Sequence, residues 1–386
     1  MLLFVSLLFF IIPILAFPIV FISFLLDKNT AHKKIYAFFL IILAAILLYY
    51  FIPDPSKDLY RYYIIMNKLS LMDLHEFYVY LTSRVEPLAN IYFYIHSKLG
   101  NHNLIMITTS LISYSMLFYV LFNHQKNIKL INLDFNIIFI FMISVFYLVD
   151  DITGIRFCLA RLIIYIALYL ELYKGEKGLF VILLYCLAPL VHTSCLIFII
   201  VRFFLYFIHY KFNIKTFFCL FLVSLTPNFI IKFARFFSGI PIFSSFEAKA
   251  IEYLELNAGF YPMFILQVII MIFLIIILIY IKKSDLDTNK KYIDYVLIIL
   301  CIGLLFVRST SISTRFIRAG IIFSLPLLMD LLKNLKFKNK IIMYISLFMI
   351  SAISIAFQTS HLIVEISYGN LFTDGLFKNL IGLLFK

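Results

Sequence analysis

Three arginines, Arg308, Arg315 and Arg318, fall within eleven residues of the stretch Val307–Gly320, in a chain that is 64% hydrophobic and only 14% charged. A guanidinium stays charged on partial burial, presents a planar fork of donors and pairs bidentately with phosphate. Arg315 and Arg318 stand three apart and share one helical face, where like charges repel and an anion between them is the natural resolution. Ser309, Thr310, Ser311, Ser313 and Thr314 crowd the same end, where they can cap a helix whose free N–H groups also favour phosphate. A second pair, Arg156 and Arg161, lies in "DDITGIRFCLAR"; five positions put the two about 140° apart on a helix, so they do not share a face. In "APLVHTS", His192 follows Pro189 at a broken junction, where it can donate to a phosphate or move a proton. Asp54, Asp58 and Glu86 are the carboxylates placed to act as a base. Any one of these arginines taken alone could instead pair with a nearby carboxylate, Asp150 or Asp151 for the second pair, or snorkel to headgroups.

The elements that must hold these residues are membrane spans. The 386 residues include 45 Phe and 26 Tyr, more apolar surface than a soluble core hides at this length, and uncharged runs of spanning length recur. Lipid offers the backbone no partners, so the spans are expected to be helices. The reading is an all-α, polytopic integral membrane protein of about twelve transmembrane helices in one domain, residues 1–386. The spans fall near 2–26, 35–52, 103–123, 135–149, 154–172, 179–191, 193–210, 215–233, 260–281, 292–307, 316–332 and 341–357. The sixth and seventh are short and meet at Pro189–His192, so they read equally as one broken element. Leu2–Leu26 lacks a basic start and an A-x-A cleavage site and is kept as the first span.

Six alternate connections, beginning at Asp27, His124, Tyr173, His209, Lys282 and Lys333, are short and carry 17 lysines and no arginine. By the positive-inside rule they face the cytoplasm. The loops 53–102 and 234–259 and the tail 358–386 then face outward, and eight of the nine arginines lie in outer loops or outer span ends, Arg202 being the exception. In the first outer loop, Tyr78, Leu81, Val85, Leu88 and Tyr92 recur at helical spacing, as in amphipathic helices lying on the membrane surface. The five cysteines form no C-x-x-C pair, and there is no P-loop, H-E-x-x-H or G-x-G-x-x-G. No cofactor, metal or nucleic-acid partner is expected.

The ordered set "KDLYRYY" (Lys57–Tyr63), Glu86–Pro87, Arg156–Ala160, Ala188/His192/Ser194 and Arg315–Gly320 resembles the EpsG-like branch of Wzy-type polysaccharide polymerases over about residues 50–330. That resemblance implies a glycosyltransferase that moves a growing glycan from undecaprenyl pyrophosphate onto a lipid-linked repeat unit at the outer face of a bacterial inner membrane. Asp58, Glu86 and His192 would be catalytic, and Arg156, Arg161, Arg308, Arg315 and Arg318 would hold the pyrophosphate. The partners implied are lipid-linked oligosaccharides, membrane lipid and a chain-length regulator protein. An O-antigen ligase or another lipid-linked-sugar glycosyltransferase is the main rival. A flippase for the same lipid would need cations lining a cavity open to each side in turn, against the outward bias of arginine. A sugar acyltransferase would bring a His–carboxylate pair, and His192 has no acidic neighbour in sequence.

Overall fold

The computed structural model describes residues 2–51, 55, 58–146, 153–208, 215, 235, 262–284, 289–307 and 309–365. Every described element is helical. The chain runs through α1 (Leu2–Ile11), α2 (Pro13–Leu26) and α3 (Thr30–Tyr49), then the shorter α4 (Asp58–Ser70), α5 (Leu74–Thr82) and α6 (Pro87–Ser97). It continues with α7 (Leu104–Ile128), α8 (Asn132–Val145), α9 (Ile155–Leu168), α10 (Leu179–Val191) and α11 (Leu196–Ile208). The last helices are α12 (Pro262–Lys283), α13 (Lys290–Leu305), α14 (Thr310–Asn334) and α15 (Phe337–Glu365).

Four helices, Thr30–Tyr49, Leu104–Ile128, Pro262–Lys283 and Phe337–Thr359, are each long and apolar enough to cross a bilayer. The shorter apolar helices fall below the roughly 20 residues a bilayer needs, so among the described residues helix length and apolar composition together carry four of the twelve expected spans. The run expected as one first span is two helices, broken at Ile12 with Pro13 opening α2, as proline's missing N–H and fixed φ favour. The expected span 215–233 and loop 234–259 lie outside the described residues apart from Lys215 and Arg235. The last helix runs to Glu365, eight residues beyond the span expected to end at 357.

α14 is the hub. It packs on α13, α12, α8 and α7, and every residue of 316–332 except Arg318 is buried. Lipid tails are as apolar as leucine, so close van der Waals fit rather than hydrophobic expulsion holds such helices together. Gly320 shows the fit: a Cβ there would overlap Leu300 on α13.

One end of the bundle gathers the lysine-rich connections. Lys340 pairs with Asp134 at 2.8 Å, Lys282 with Asp294, and buried Lys33 donates to Asn136. Asp330 on α14 accepts from His124 Nε2 at 3.0 Å and from the Tyr173 hydroxyl at 2.6 Å. Arg202, the arginine that broke the sequence pattern, is held by Glu171 near this end. Each cation here that lies within the bundle has its own anion or dipole, as burial demands. The opposite end, where α4, α5 and α6 lie, holds the residues singled out for chemistry.

Candidate functional site

The site begins with a proline. The helix expected through Tyr78–Tyr92 is interrupted, because Pro87 disfavours a helical residue before it and opens a new helix. α5 ends at Thr82, Val85 falls between helices, and Glu86 becomes the N-cap of α6 with φ −115° and ψ 68°. Its side chain caps nothing in its own helix. It reaches across to α9 and α10 instead.

A second proline places the partner. Pro189 sits in the last turn of α10, which ends at Val191. His192 is extended, and a single tight turn, Thr193–Cys195, leads into α11. The junction anticipated at Pro189–His192 is therefore a broken element between two short helices. His192 Nδ1 lies 2.6 Å from Glu86 Oε1, and Thr193 donates to the same oxygen from its N–H at 2.9 Å and its hydroxyl at 3.1 Å. Arg156, in the first turn of α9, donates from Nη1 to Glu86 Oε2 at 2.6 Å and from Nε to the Tyr62 hydroxyl at 3.3 Å. Its guanidinium also stands over the Tyr62 ring, 5.2 Å from the centroid.

Glu86 thus takes four donors on two oxygens. Burial raises its pKa, but the hydrogen bond and charge of His192, the charge of Arg156 and the Thr193 N–H outweigh burial and hold the carboxyl at about 2. A carboxylate this strongly held accepts a proton poorly at neutral pH. Being ionised, it can only accept, so His192 Nδ1 carries the hydrogen. The imidazole's other nitrogen, Nε2, is then the one with a lone pair. The His–carboxylate pair absent from the local sequence is supplied by the fold, across 106 positions.

Phe157 joins the remaining cations to this centre. His192 meets its ring edge-on at 6.0 Å, while the Arg161 and Arg315 guanidinium carbons stand 5.4 and 5.7 Å from the same centroid. Arg161 is wholly buried and also lies over Phe146. The Arg315 charge acts on both Tyr62 and His192. The structure therefore brings together Glu86, His192, Arg156, Arg161 and Arg315. Arg318 turns elsewhere: with the Gln267 carboxamide oriented oxygen-first, it donates from Nε at 3.1 Å and Nη2 at 3.2 Å to that α12 side chain. The shared face expected for Arg315 and Arg318 is divided between two neighbours, α9 and α12. Asp58 opens α4 at the surface, paired with Arg61 at 3.5 Å, and its charge acts on Tyr62 of the cluster. Arg308, Asp54, Asp150 and Asp151 lie outside the described residues.

Sequence reasoning gave no role to Tyr62, Phe157 or Gln267, and it placed Thr193 on the backbone groups freed by Pro189, where the structure has it donating to Glu86. Gln267 carried a signal, as the lone polar side chain in the run Met263–Ile279. Phe157 carried none, being one of 45 phenylalanines. Among the described residues no cluster of three or more His, Cys, Asp or Glu could hold a metal ion.

Neither a curated protein nor a solved structure matches this chain. The EpsG family model matches residues 34–371, which span every residue of the Glu86 cluster. With that match and its apolar helices, this multi-pass membrane protein belongs to the EpsG family.

Proposed function

We propose that the protein is a polysaccharide polymerase of the bacterial inner membrane, with its site open to the periplasm or exterior, and that it transfers a growing glycan from undecaprenyl pyrophosphate onto a lipid-linked oligosaccharide repeat unit. The observation that carries this reading is the Glu86–His192 contact set beside Arg156 and Arg315. Glycosyl transfer from a lipid pyrophosphate needs a base for the acceptor hydroxyl and cations for the departing diphosphate, and both chemistries meet here.

In this reading His192 Nε2 takes the acceptor hydroxyl proton while the oxygen attacks the anomeric carbon. The bond from that carbon to the pyrophosphate oxygen breaks, and its electron pair leaves with the lipid pyrophosphate. Arg156 and Arg315 stabilise the charge that develops there, and the proton on His192 is then lost to water. Glu86 positions the imidazole and stabilises the imidazolium. In this reading His192, given a proton-moving role from the sequence, takes the base role also left open to Asp54, Asp58 and Glu86. The sugar–pyrophosphate bond is already activated, so the reaction draws on no cofactor.

A ligase that passes finished glycan to a lipid acceptor would use the same base and the same cations. Deletion of the gene, followed by gel analysis of the surface polysaccharide, separates the readings. Single repeat units still attached to their final acceptor support the polymerase. Polymer made but left unattached points to the ligase, and loss of all outward-facing repeat units points to a flippase. Wild-type ladders in the deletion strain overturn all three.

A further inference from the structure

Beside Arg156 runs a cavity of about 210 Å³ between α6, α7, α9 and α10. Its walls include Leu88 and Tyr92 from α6, Ile112 and Met116 from α7, and Leu159 and Ile163 from α9; Arg156 is the one charged residue on it. The Tyr92 hydroxyl is engaged by Thr108 at 2.6 Å and Thr109 at 3.0 Å, so tyrosine gives the cavity its ring and not its polar tip. Ile112, on the cavity wall, is exposed on the apolar helix α7, so the cavity opens to the surface beside that helix.

We infer that this groove seats the phosphate-proximal part of the substrate's hydrocarbon chain, which enters sideways from the bilayer between α6 and α7. The inference rests on the lipid-pyrophosphate reading above and adds to it the place and route of the lipid. Three observations support this occupant. A cavity walled by aliphatic and aromatic carbon offers a sugar no hydrogen bonds, whereas a hydrocarbon loses nothing on entering it. Its size suits a chain segment: an apolar cavity of about 150 Å³ admits benzene, so this one takes roughly eight to ten carbons, or about two isoprene units. Its single cation stands where the head group must be. Arg156 spends Nη1 on Glu86 and Nε on Tyr62, and its Nη2 amino group remains for a phosphate oxygen. An anionic head on Arg156 with its tail in the groove brings the glycosyl phosphate bond next to His192, since Glu86 holds both residues.

The test uses the purified full chain in lipid nanodiscs and undecaprenyl phosphate carrying a diazirine in its first isoprene units. After irradiation, labelled peptides are mapped by mass spectrometry. The label is expected on α7 near Ile112–Met116 and on α9 near Leu159–Ile163. Unlabelled undecaprenyl pyrophosphate should compete, and dioleoyl phosphatidic acid at the same concentration should not. Ile112→Trp, at the exposed mouth where bulk is accommodated, should cut labelling by about tenfold through lost burial of roughly two methylene groups. Label confined to other helices, or competition by phosphatidic acid equal to that by undecaprenyl pyrophosphate, overturns the inference. His192→Gln separates it from the parent reading: labelling should persist while polymer is lost. Label in the groove with polymer intact in His192→Gln would leave the lipid site standing and remove the proposed chemistry. Polymer lost with label elsewhere would do the reverse.

Discussion

Glu86 Oε1 accepts a hydrogen bond from His192 Nδ1 at 2.6 Å, although 106 positions separate the two residues. Two prolines make the contact possible. Pro87 stops one surface helix and turns Glu86 out of the next, and Pro189 sits in the last turn of α10, after which His192 leaves the helix extended. The pair is local geometry at each end and tertiary packing in between.

Glu86→Gln keeps the size of the side chain and removes its charge. The amide can donate as well as accept, so it no longer dictates which imidazole nitrogen holds the hydrogen. Turnover of polymer should fall by about 10²–10⁴, the cost of a misdirected or unstabilised imidazole base, with little change in the Michaelis constant for the acceptor. Glu86→Asp should recover part of the rate. Combining Glu86→Gln with His192→Gln should cost little more than His192→Gln alone, because the two act as one unit. Losses that multiply in the double variant would show that they act separately.

The same carboxylate makes a stability prediction. Its folded pKa of about 2 lies below the ordinary glutamate value of 4.5. Its contribution is therefore full above about pH 4.5 and is lost as pH falls toward 2, where the unfolded chain binds the proton more readily. The thermal midpoint of the detergent-solubilised protein should drop between pH 5 and about pH 2 from this group, and Glu86→Gln should flatten that part of the curve. An unchanged acid slope in the variant would show that the four donors around Glu86 do not govern its titration.

What the sequence made legible was periodic or permanent. Apolar runs located α3, α7, α12 and α15, since spanning length is a one-dimensional property. The six short connections with lysine and no arginine were readable by counting, and proline marked the His192 break. The partner of each cation was not readable. Arg156 finds Glu86 70 positions away and Arg202 finds Glu171 31 positions away, and no spacing rule links residues on helices that only packing brings together. Arg315 and Arg318 show the same limit from the other side: three residues on a helix set a shared face, but the neighbours that claim each guanidinium, Phe157 on α9 and Gln267 on α12, decide where it goes.

The lysine-rich end and the Glu86 end should face opposite sides of the membrane. Lys68 on α4 and Lys338 near the start of α15 are both exposed, so each tolerates replacement. On a cysteine-free background, Lys68→Cys should react with an impermeant thiol reagent in intact spheroplasts, and Lys338→Cys only after lysis. The reverse pattern would place Glu86 and His192 in the cytoplasm, away from any exported glycan.

The last prediction concerns geometry at constant charge. Arg156 divides its donors between the Glu86 carboxylate and the Tyr62 hydroxyl and still lies over the Tyr62 ring. Arg315 lies over Phe157 beside His192. A lysine keeps one positive charge at either position, but its compact ammonium cannot serve two partners set at the angle of a guanidinium fork, and it stacks less well on a ring. Arg156→Lys and Arg315→Lys should therefore both fail to restore polymer, at protein levels equal to wild type. They should fail differently. Arg156→Lys should also lower the thermal midpoint, because Glu86 loses the geometry of a charge-assisted hydrogen bond, a contact worth about 1.5–3 kcal/mol. Arg315→Lys should weaken the cation–π contact with Phe157, which is worth about 0.5–2 kcal/mol. Normal polymer ladders from both variants would show that charge alone suffices, and the case for a guanidinium-built anion site would fall with them.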